Sequence, residues 1–431
     1  MTNMVNKAQG FGLSLLTKIA GSEVLDQLKL RKFVEKSLYQ SSKAGFKTLS
    51  QSQKAFKFNK NLHKQRLANQ SKSLFDLSLT PEQQMTCDAM DKFAAEVLYP
   101  LAHRADQEEK FPAELQQYSA DLGLNLYALP EALGGAASEK NIISNILIAE
   151  RLAQGDFSLT AGLLSTFSVI NALSQWGSEA VQAKYLSSFA EDAEIQASFA
   201  VLEASAAFNP FQLKTRAIER QGKYAISGEK TLVILGESAD LLLVSAELNG
   251  QPDVFAVTRD SSITLKKTPA MGLKATETVT LHFNNTPAER LGDDDFSYTA
   301  FVDLGNLMWC AMAAGTCEAV KKYCIQYANE RTAFGEPISH RQSVAFMIAD
   351  MAIEIEAMRM LVLNAASLAE AGQPFHREAY LARLLCAEKS MKIGTDGVQI
   401  LGGHGFTKEH PVERWYRDLR ATAIMHSGLH A

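Results

Sequence analysis

The chain has 431 residues and a formal net charge of -5, and its 46% hydrophobic and 21% charged residues are typical of a soluble globular protein. This length and composition allow a large core and exclude a disordered chain or a small disulfide scaffold. The chain has five cysteines, which favours a reducing compartment, so we expect a cytoplasmic protein.

The positive charge lies at one end of the chain. Residues 1–77 contain 14 Lys and Arg against 4 Asp and Glu, whereas the remaining residues contain 29 against 44. Apolar positions such as Phe11, Leu15 and Ile19 predict a basic helical extension, followed by a polar linker. This extension either lies on an anionic membrane surface or packs on its own domain. We predict no nucleic-acid binding, because aromatic side chains are not interleaved with the charges.

Neither a secretory signal nor a membrane span is predicted. The start of the chain lacks a basic region followed by a continuous apolar block and a small-residue cleavage site. The longest uncharged run, Phe157 to Ser178, is interrupted by polar residues and glycine, so it predicts a buried helix pair.

The first structural part is predicted to be an N-terminal α-domain over residues 78–195. It opens with Thr80 as the N-cap and Pro81 at the first helical position. From there the apolar residues recur at helical spacing.

A different pattern follows. Short β-branched or apolar runs over residues 196–295, separated by turns such as Asn249-Gly250, predict an antiparallel β-domain. Helical periodicity returns over residues 296–431 and predicts a C-terminal helical bundle. We predict no metal site: the seven-residue steps between three of the cysteines, Cys310, Cys317 and Cys324, are typical of buried core positions.

Two stretches of the bundle suggest a ligand. In "ERTAFGEPISHRQ", Arg331, Phe334 and Gln342 surround a Gly-x-Pro break and offer the charge and stacking surface that a pyrophosphate and an aromatic ring require. The alternative is a solvated Arg beside a core Phe. In "GVQILGGHGF", clustered glycines at 402, 403 and 405 let a backbone approach phosphate closely, but no strand precedes them as in a dinucleotide-binding fingerprint.

These stretches, together with "LTPEQQ", "LPEALGG", "GLKATETVTLHFNNTPAERLG" and "PVERWYRDLR", resemble the acyl-CoA dehydrogenase family over about residues 78–431. The resemblance implies a mostly helical fold with a middle β-barrel and a C-terminal four-helix bundle. It also implies FAD as cofactor, an acyl-CoA substrate, a homodimer or homotetramer, and an electron-transfer flavoprotein as electron acceptor.

The resemblance assigns residues to two sides of the flavin. On the nucleotide side the matching residues are Arg331, Phe334 and Gln342 from one subunit and Gln399, Gly402 and Gly403 from the other. On the ring side the family's T-E-P-x-x-G-S-D is replaced by residues 202–209, beginning at Leu202, where only Glu203 is retained. Ile234 replaces the hydroxyl residue of W-I-[ST]-N-G, so one hydrogen bond to the flavin is lost.

The catalytic base of the family is usually the Glu of I-[YF]-E-G-[TS]. Aligned without gaps, that motif falls on residues 424–428 and places His426 at the base position. The glutamate that some members carry on the first bundle helix corresponds to Gly305 or Asn306. Two hypotheses follow: FAD-dependent α,β-dehydrogenation of a fatty acyl-CoA with His426 as the base, or a catalytically silent homologue that serves as a binding or scaffolding subunit. His404 and His430 are expected to be bystanders.

Overall fold

The computed structural model describes residues 78–137, 141–192, 194–293 and 295–431. The basic extension predicted over residues 1–77 lies outside the described residues. In the part of the chain that the structure describes, the predicted order of an α-domain, a β-barrel and a helical bundle is confirmed.

The α-domain contains these helices: α1 (Pro81–Phe93), α2 (Tyr99–Glu108), α3 (Ala113–Leu122), α4 (Ile142–Leu152), α5 (Phe157–Trp176) and α6 (Glu179–Glu191). Thr80 forms the predicted cap of α1: its hydroxyl accepts a hydrogen bond from the Gln83 N–H at 3.2 Å, and the Gln83 side chain accepts one from the Thr80 N–H. The start of the domain is therefore encoded locally.

The uncharged run that was expected to form a helix pair is one continuous helix, α5. The side chain of Asp156 caps it by accepting a hydrogen bond from the Leu159 N–H at 2.9 Å. Its one internal glycine, Gly162, allows the ring of Phe111 to approach closely rather than breaking the helix, which is why the prediction was wrong. Among the described residues, α5 has the length and composition of a membrane span, and 89% of its most apolar stretch is buried inside the protein.

The middle domain is built from these strands: β1 (Ala197–Ala200), β2 (Arg216–Arg220), β3 (Lys223–Val233), β4 (Leu241–Leu248), β5 (Gln251–Thr258), β6 (Ile263–Lys267) and β7 (Val279–Arg290). β5 pairs with both β4 and β7, which closes the sheet into a barrel. Most strand pairs are antiparallel, as predicted. The exceptions involve β4, which pairs in parallel with β1 and with β2. The Asn249-Gly250 turn joins β4 to β5 with both residues at positive φ, as a tight hairpin requires.

The bundle consists of α7 (Tyr298–Glu330), the short hairpin of β8 (Thr332–Ala333) and β9 (Glu336–Pro337), α8 (Gln342–Glu370), α9 (His376–Leu401), α10 (Val412–Leu419) and α11 (Ala421–Ile424). The helices α7, α8 and α9 pack on one another, and α4 of the first domain packs on α7. All five cysteines are buried and free of disulfides, in agreement with the core positions predicted for those on α7.

Candidate functional site

The hairpin between α7 and α8 displays the first group of predicted nucleotide-side residues. Arg331 directly follows α7 and is exposed, and Gln342 is the exposed first residue of α8. Phe334, at the tip of the hairpin, has a φ of 54° and is 96% exposed. The guanidinium carbon of Arg341 lies 5.7 Å from the centre of the Phe334 ring. The sequence alternative of a core Phe is therefore wrong, and the ring is free to stack on a ligand.

The glycine turn after α9 displays the second group. Gly402 has φ 57° and ψ -129°, a conformation that favours glycine, and a Cβ at Gly402 or Gly403 would meet nothing within 4 Å. The turn is fixed from behind, because the Tyr327 hydroxyl hydrogen-bonds Nδ1 of His404 at 2.8 Å. Gln399 is exposed two residues before the end of α9.

A cleft of about 680 Å³ lies between the hairpin, the start of α8 and the end of α9. It is lined by Phe334, Arg341, Val344 and Ile400, with other residues of the hairpin and of α8. Exposed cationic and stacking side chains, together with open backbone at the glycine turn, fit a pyrophosphate and an attached aromatic base. The nucleotide side of the site therefore fits FAD.

The ring-side residues have a different environment. Leu202 and Ile234 are 5% and 2% exposed and belong to the apolar core. The Ile234 carbonyl accepts a hydrogen bond from the Ser198 hydroxyl at 2.6 Å, and the Leu202 carbonyl accepts one from the Thr231 N–H at 2.9 Å. These positions offer an aliphatic wall, and their backbone carbonyl groups are already paired.

A buried ion pair fixes the loop beside that wall. The ammonium of Lys230 lies 2.8 Å from a carboxylate oxygen of Glu203, and both side chains are almost fully buried. Glu203 also accepts hydrogen bonds from the backbone N–H groups of Lys214 and Thr215, so it joins the two ends of the loop 203–215. Burial lowers the pKa of Lys230 to about 8, although the charge of Glu203 opposes this shift.

This loop places Phe208 against His426. The two rings meet edge to face with their centres 6.0 Å apart. The imidazole of His426 forms no hydrogen bond or ion pair with another described residue, and no carboxylate supports a cationic form. Burial, and then the charge of Arg383, lowers the pKa of His426 to about 4, so the ring is neutral near pH 7.

Arg383 holds the backbone that carries His426. Its guanidinium donates hydrogen bonds to the carbonyl oxygens of Met425 at 2.7 Å, of Ala423 at 3.3 Å and of Thr422 at 3.4 Å. The guanidinium also donates to Oδ1 of Asn306 at 3.3 Å, and that oxygen accepts a hydrogen bond from the Ser427 N–H. His426 is therefore positioned through its main chain.

The second position where a family glutamate was considered has no room for a side chain. A Cβ on Gly305 would come within 2.5 Å of the Leu429 carbonyl oxygen and 2.6 Å of the Ser427 Cα. The segment that follows His426 lies directly on this face of α7. Sequence reasoning identified His426 but missed Phe208, Arg383 and Lys230, whose proximity comes only from the fold. Glu203 is the one retained residue of its motif, and this retention was the sequence signal that could have pointed to the ion pair with Lys230.

Comparisons with known proteins show the family of this chain. The family model for the acyl-CoA dehydrogenase N-terminal domain matches residues 80–193, and that for the C-terminal domain matches residues 298–428. Because the chain is also 30% identical to a relative over 80% of its own length, it belongs to the acyl-CoA dehydrogenase family.

That relative is cyclohex-1-ene-1-carbonyl-CoA dehydrogenase of Syntrophus aciditrophicus, 86% of which is covered. An acyl-CoA dehydrogenase of Bacillus subtilis is 31% identical over 81% of this chain and 95% of its own length. The structure of butyryl-CoA dehydrogenase from Megasphaera elsdenii superimposes with a TM-score of 0.75 at 29% identity, covering 82% of this chain and 96% of that one.

Proposed function

We propose that this chain catalyses the FAD-dependent α,β-dehydrogenation of an acyl-CoA thioester, with His426 as the base that removes the α-proton. The observation that carries the proposal is the neutral, partly buried imidazole at the base position, held by Arg383 through the backbone. A base with a pKa of about 4 is close in basicity to an ordinary glutamate, whose pKa is about 4.3. His426 is therefore neutral near pH 7 and has a ring nitrogen that can accept a proton.

The other residues have binding roles in this proposal. Arg331, Gln342 and the glycine turn hold the pyrophosphate, Phe334 stacks on the adenine, and Leu202 and Ile234 border the ring. Bound FAD supplies the hydride acceptor. Phe208 and the surrounding core exclude water, so that the α-proton passes to a ring nitrogen of His426. We keep an electron-transfer flavoprotein, which the family implies, as the proposed acceptor of the electrons.

A homo-oligomer is part of the same proposal. Exposed apolar side chains recur along one face of α8 at Phe346, Ile353 and Met360, seven residues apart, and α9 adds Tyr380 and Leu384. A stripe of this kind is typical of a surface that another helix covers. A second copy would bring its own glycine turn to the Phe334 hairpin. Sedimentation equilibrium tests this, and a monomer at micromolar concentration would refute it.

One observation favours the second hypothesis, a silent subunit. A neutral imidazole becomes a cation when it takes a proton, and the nearby Arg383 opposes that charge where no carboxylate compensates it. A family member with this arrangement would keep FAD or the oligomer interface without turnover.

Anaerobic mixing of the purified protein with acyl-CoA separates the two hypotheses. Loss of the flavin's visible absorbance supports the enzyme. Bound flavin that keeps its absorbance, or a colourless protein that takes up no added FAD, supports the silent subunit. We expect His426→Ala to slow this bleaching by about a hundredfold or more, and His426→Glu, which places a carboxylate there, to accelerate it. The surface variant His103→Ala is the control. Equal rates for the parent and His426→Ala would show that His426 is not the base.

For residues 1–77 we propose contact with an anionic membrane surface, supported by their excess of positive charge. Co-sedimentation with anionic and neutral liposomes compares the full chain with residues 78–431. Equal partitioning of the two chains would instead favour an extension that packs on the protein.

A further inference from the structure

The segment after His426 is buried in the protein. Ser427, Leu429 and His430 have no exposed surface, and Ala431 is 2% exposed. The chain turns inward through positive φ angles at Ser427 and Gly428. These five residues, 427–431, are called the inner segment below.

Two tryptophans from different helices bind the inner segment. The indole N–H of Trp309 on α7 donates to the Ser427 carbonyl at 2.6 Å, and that of Trp176 at the end of α5 donates to Nε2 of His430 at 2.9 Å. His430 must then carry its proton on Nδ1, which faces the Ala431 carbonyl oxygen at 2.9 Å. This contact is structural, so the expectation that His430 takes no part in catalysis stays a prediction.

The inner segment occupies the interior between α5 and α7. The His430 ring packs on Phe301, their centres 5.5 Å apart, and the close fit of Leu429 against Gly305 leaves no space for a methyl group there. Beyond it, Ala431 lines a cleft of about 870 Å³ together with Asn145 and Asn171. The inner segment thus separates His426 from this cleft.

We infer that the inner segment limits the substrate to acyl groups of short chain, with Leu429 and His430 as the residues that determine this specificity. The inference rests on the proposed function, because it places the reacting carbons at His426. An apolar chain extending from those carbons binds more tightly for each methylene that the protein buries. The apolar interior next to His426 is already filled by the inner segment, so additional methylenes gain no burial unless it moves.

The test compares butyryl-CoA with palmitoyl-CoA, which differ only in the acyl chain, and measures both Kd by calorimetry and flavin bleaching. We expect the parent to bind butyryl-CoA at least tenfold more tightly than palmitoyl-CoA. In the double variant Leu429→Ala/His430→Ala, the space opens toward the cleft, and the preference should fall by tenfold or more.

A second, more conservative variant tests the inference in case the double variant does not fold. Trp176→Phe keeps most of the ring volume but removes the hydrogen bond to His430, and it should shift the preference in the same direction. Trp415→Phe is the matched control, since the buried Trp415 indole N–H has no hydrogen-bond partner among the described residues. It should leave the preference unchanged.

The outcomes distinguish this inference from the function on which it rests. Equal affinity of the parent for both thioesters, or an unchanged preference in the folded variants, overturns the inference while bleaching still supports the dehydrogenase. The expected binding preference without bleaching by either thioester refutes the dehydrogenase and supports the role of the inner segment.

Discussion

The nucleotide side and the base side of the proposed flavin site are built in opposite ways. Phe334 and the glycine turn at Gly402 stand exposed at the ends of helices, with open space around them. His426, in contrast, is followed by a fully buried segment and faces a loop fixed by an internal ion pair. The first side is shaped to receive a large ligand, whereas the second is already packed by its own chain. Stability should therefore depend on the base side and FAD affinity on the nucleotide side.

The largest effect is expected from Glu203→Gln on the base side. This change leaves the Lys230 ammonium buried without its counter-charge, which costs about 3–5 kcal/mol of the free energy of unfolding. Urea denaturation measures it. The control is Glu114→Gln, which breaks the exposed pair with Arg104 and should change stability little. A small effect of Glu203→Gln would mean that the base side is less tightly fixed than its contacts indicate.

On the nucleotide side, Arg331→Ala should act on cofactor affinity alone. Loss of charged hydrogen bonds worth about 1.5–3 kcal/mol raises the Kd of FAD by roughly ten- to a hundredfold, without a change in unfolding. Fluorescence titration of the apoprotein with FAD measures this. The control is Arg377→Ala, which removes an exposed arginine that pairs with its neighbour Glu378. Destabilisation by Arg331→Ala would contradict the division between the two sides.

This division also explains how much the sequence predicted. The nucleotide-side residues lie in short motifs with turn residues, so their exposure follows from local chemistry, as does the capped start of α1 at Thr80. The burial of His430 depends instead on Trp176 and Phe301, which lie more than 100 positions away in the chain. No local pattern in "HSGLHA" indicates those partners. The continuity of α5 through Gly162 was missed for the same reason: its partner Phe111 lies in the connection between α2 and α3, far away in the sequence.

A pH-dependent loss of stability should arise on the base side. Burial lowers the pKa of His430 to about 4, below the unfolded value of about 6.5. The stabilisation is complete above pH 6.5 and is lost as the pH falls toward 4, because the unfolded chain binds the proton first. At pH 5 the loss of unfolding free energy from this one histidine is about 2 kcal/mol.

His430→Gln isolates this contribution, since glutamine can accept the Trp176 hydrogen bond but does not titrate. The difference in unfolding free energy between the parent and this variant should shift by about 2 kcal/mol in the variant's favour between pH 7 and pH 5. His103→Gln on the surface is the control. A parallel pH dependence of the parent and His430→Gln would show that His430 does not titrate as a buried group.

The smallest effects are expected within the glycine turn, where two neighbouring residues separate conformation from ligand access. Gly402→Ala forces a side chain into a positive-φ conformation and should cost about 1–2 kcal/mol of stability. Gly403→Ala has ordinary φ and open space, so unfolding should not change. Its methyl group nevertheless occupies the surface that a phosphate approaches, so FAD should bind more weakly. Thermal unfolding with and without FAD measures both effects. If both variants bind FAD as tightly as the parent, this turn is not part of the nucleotide side.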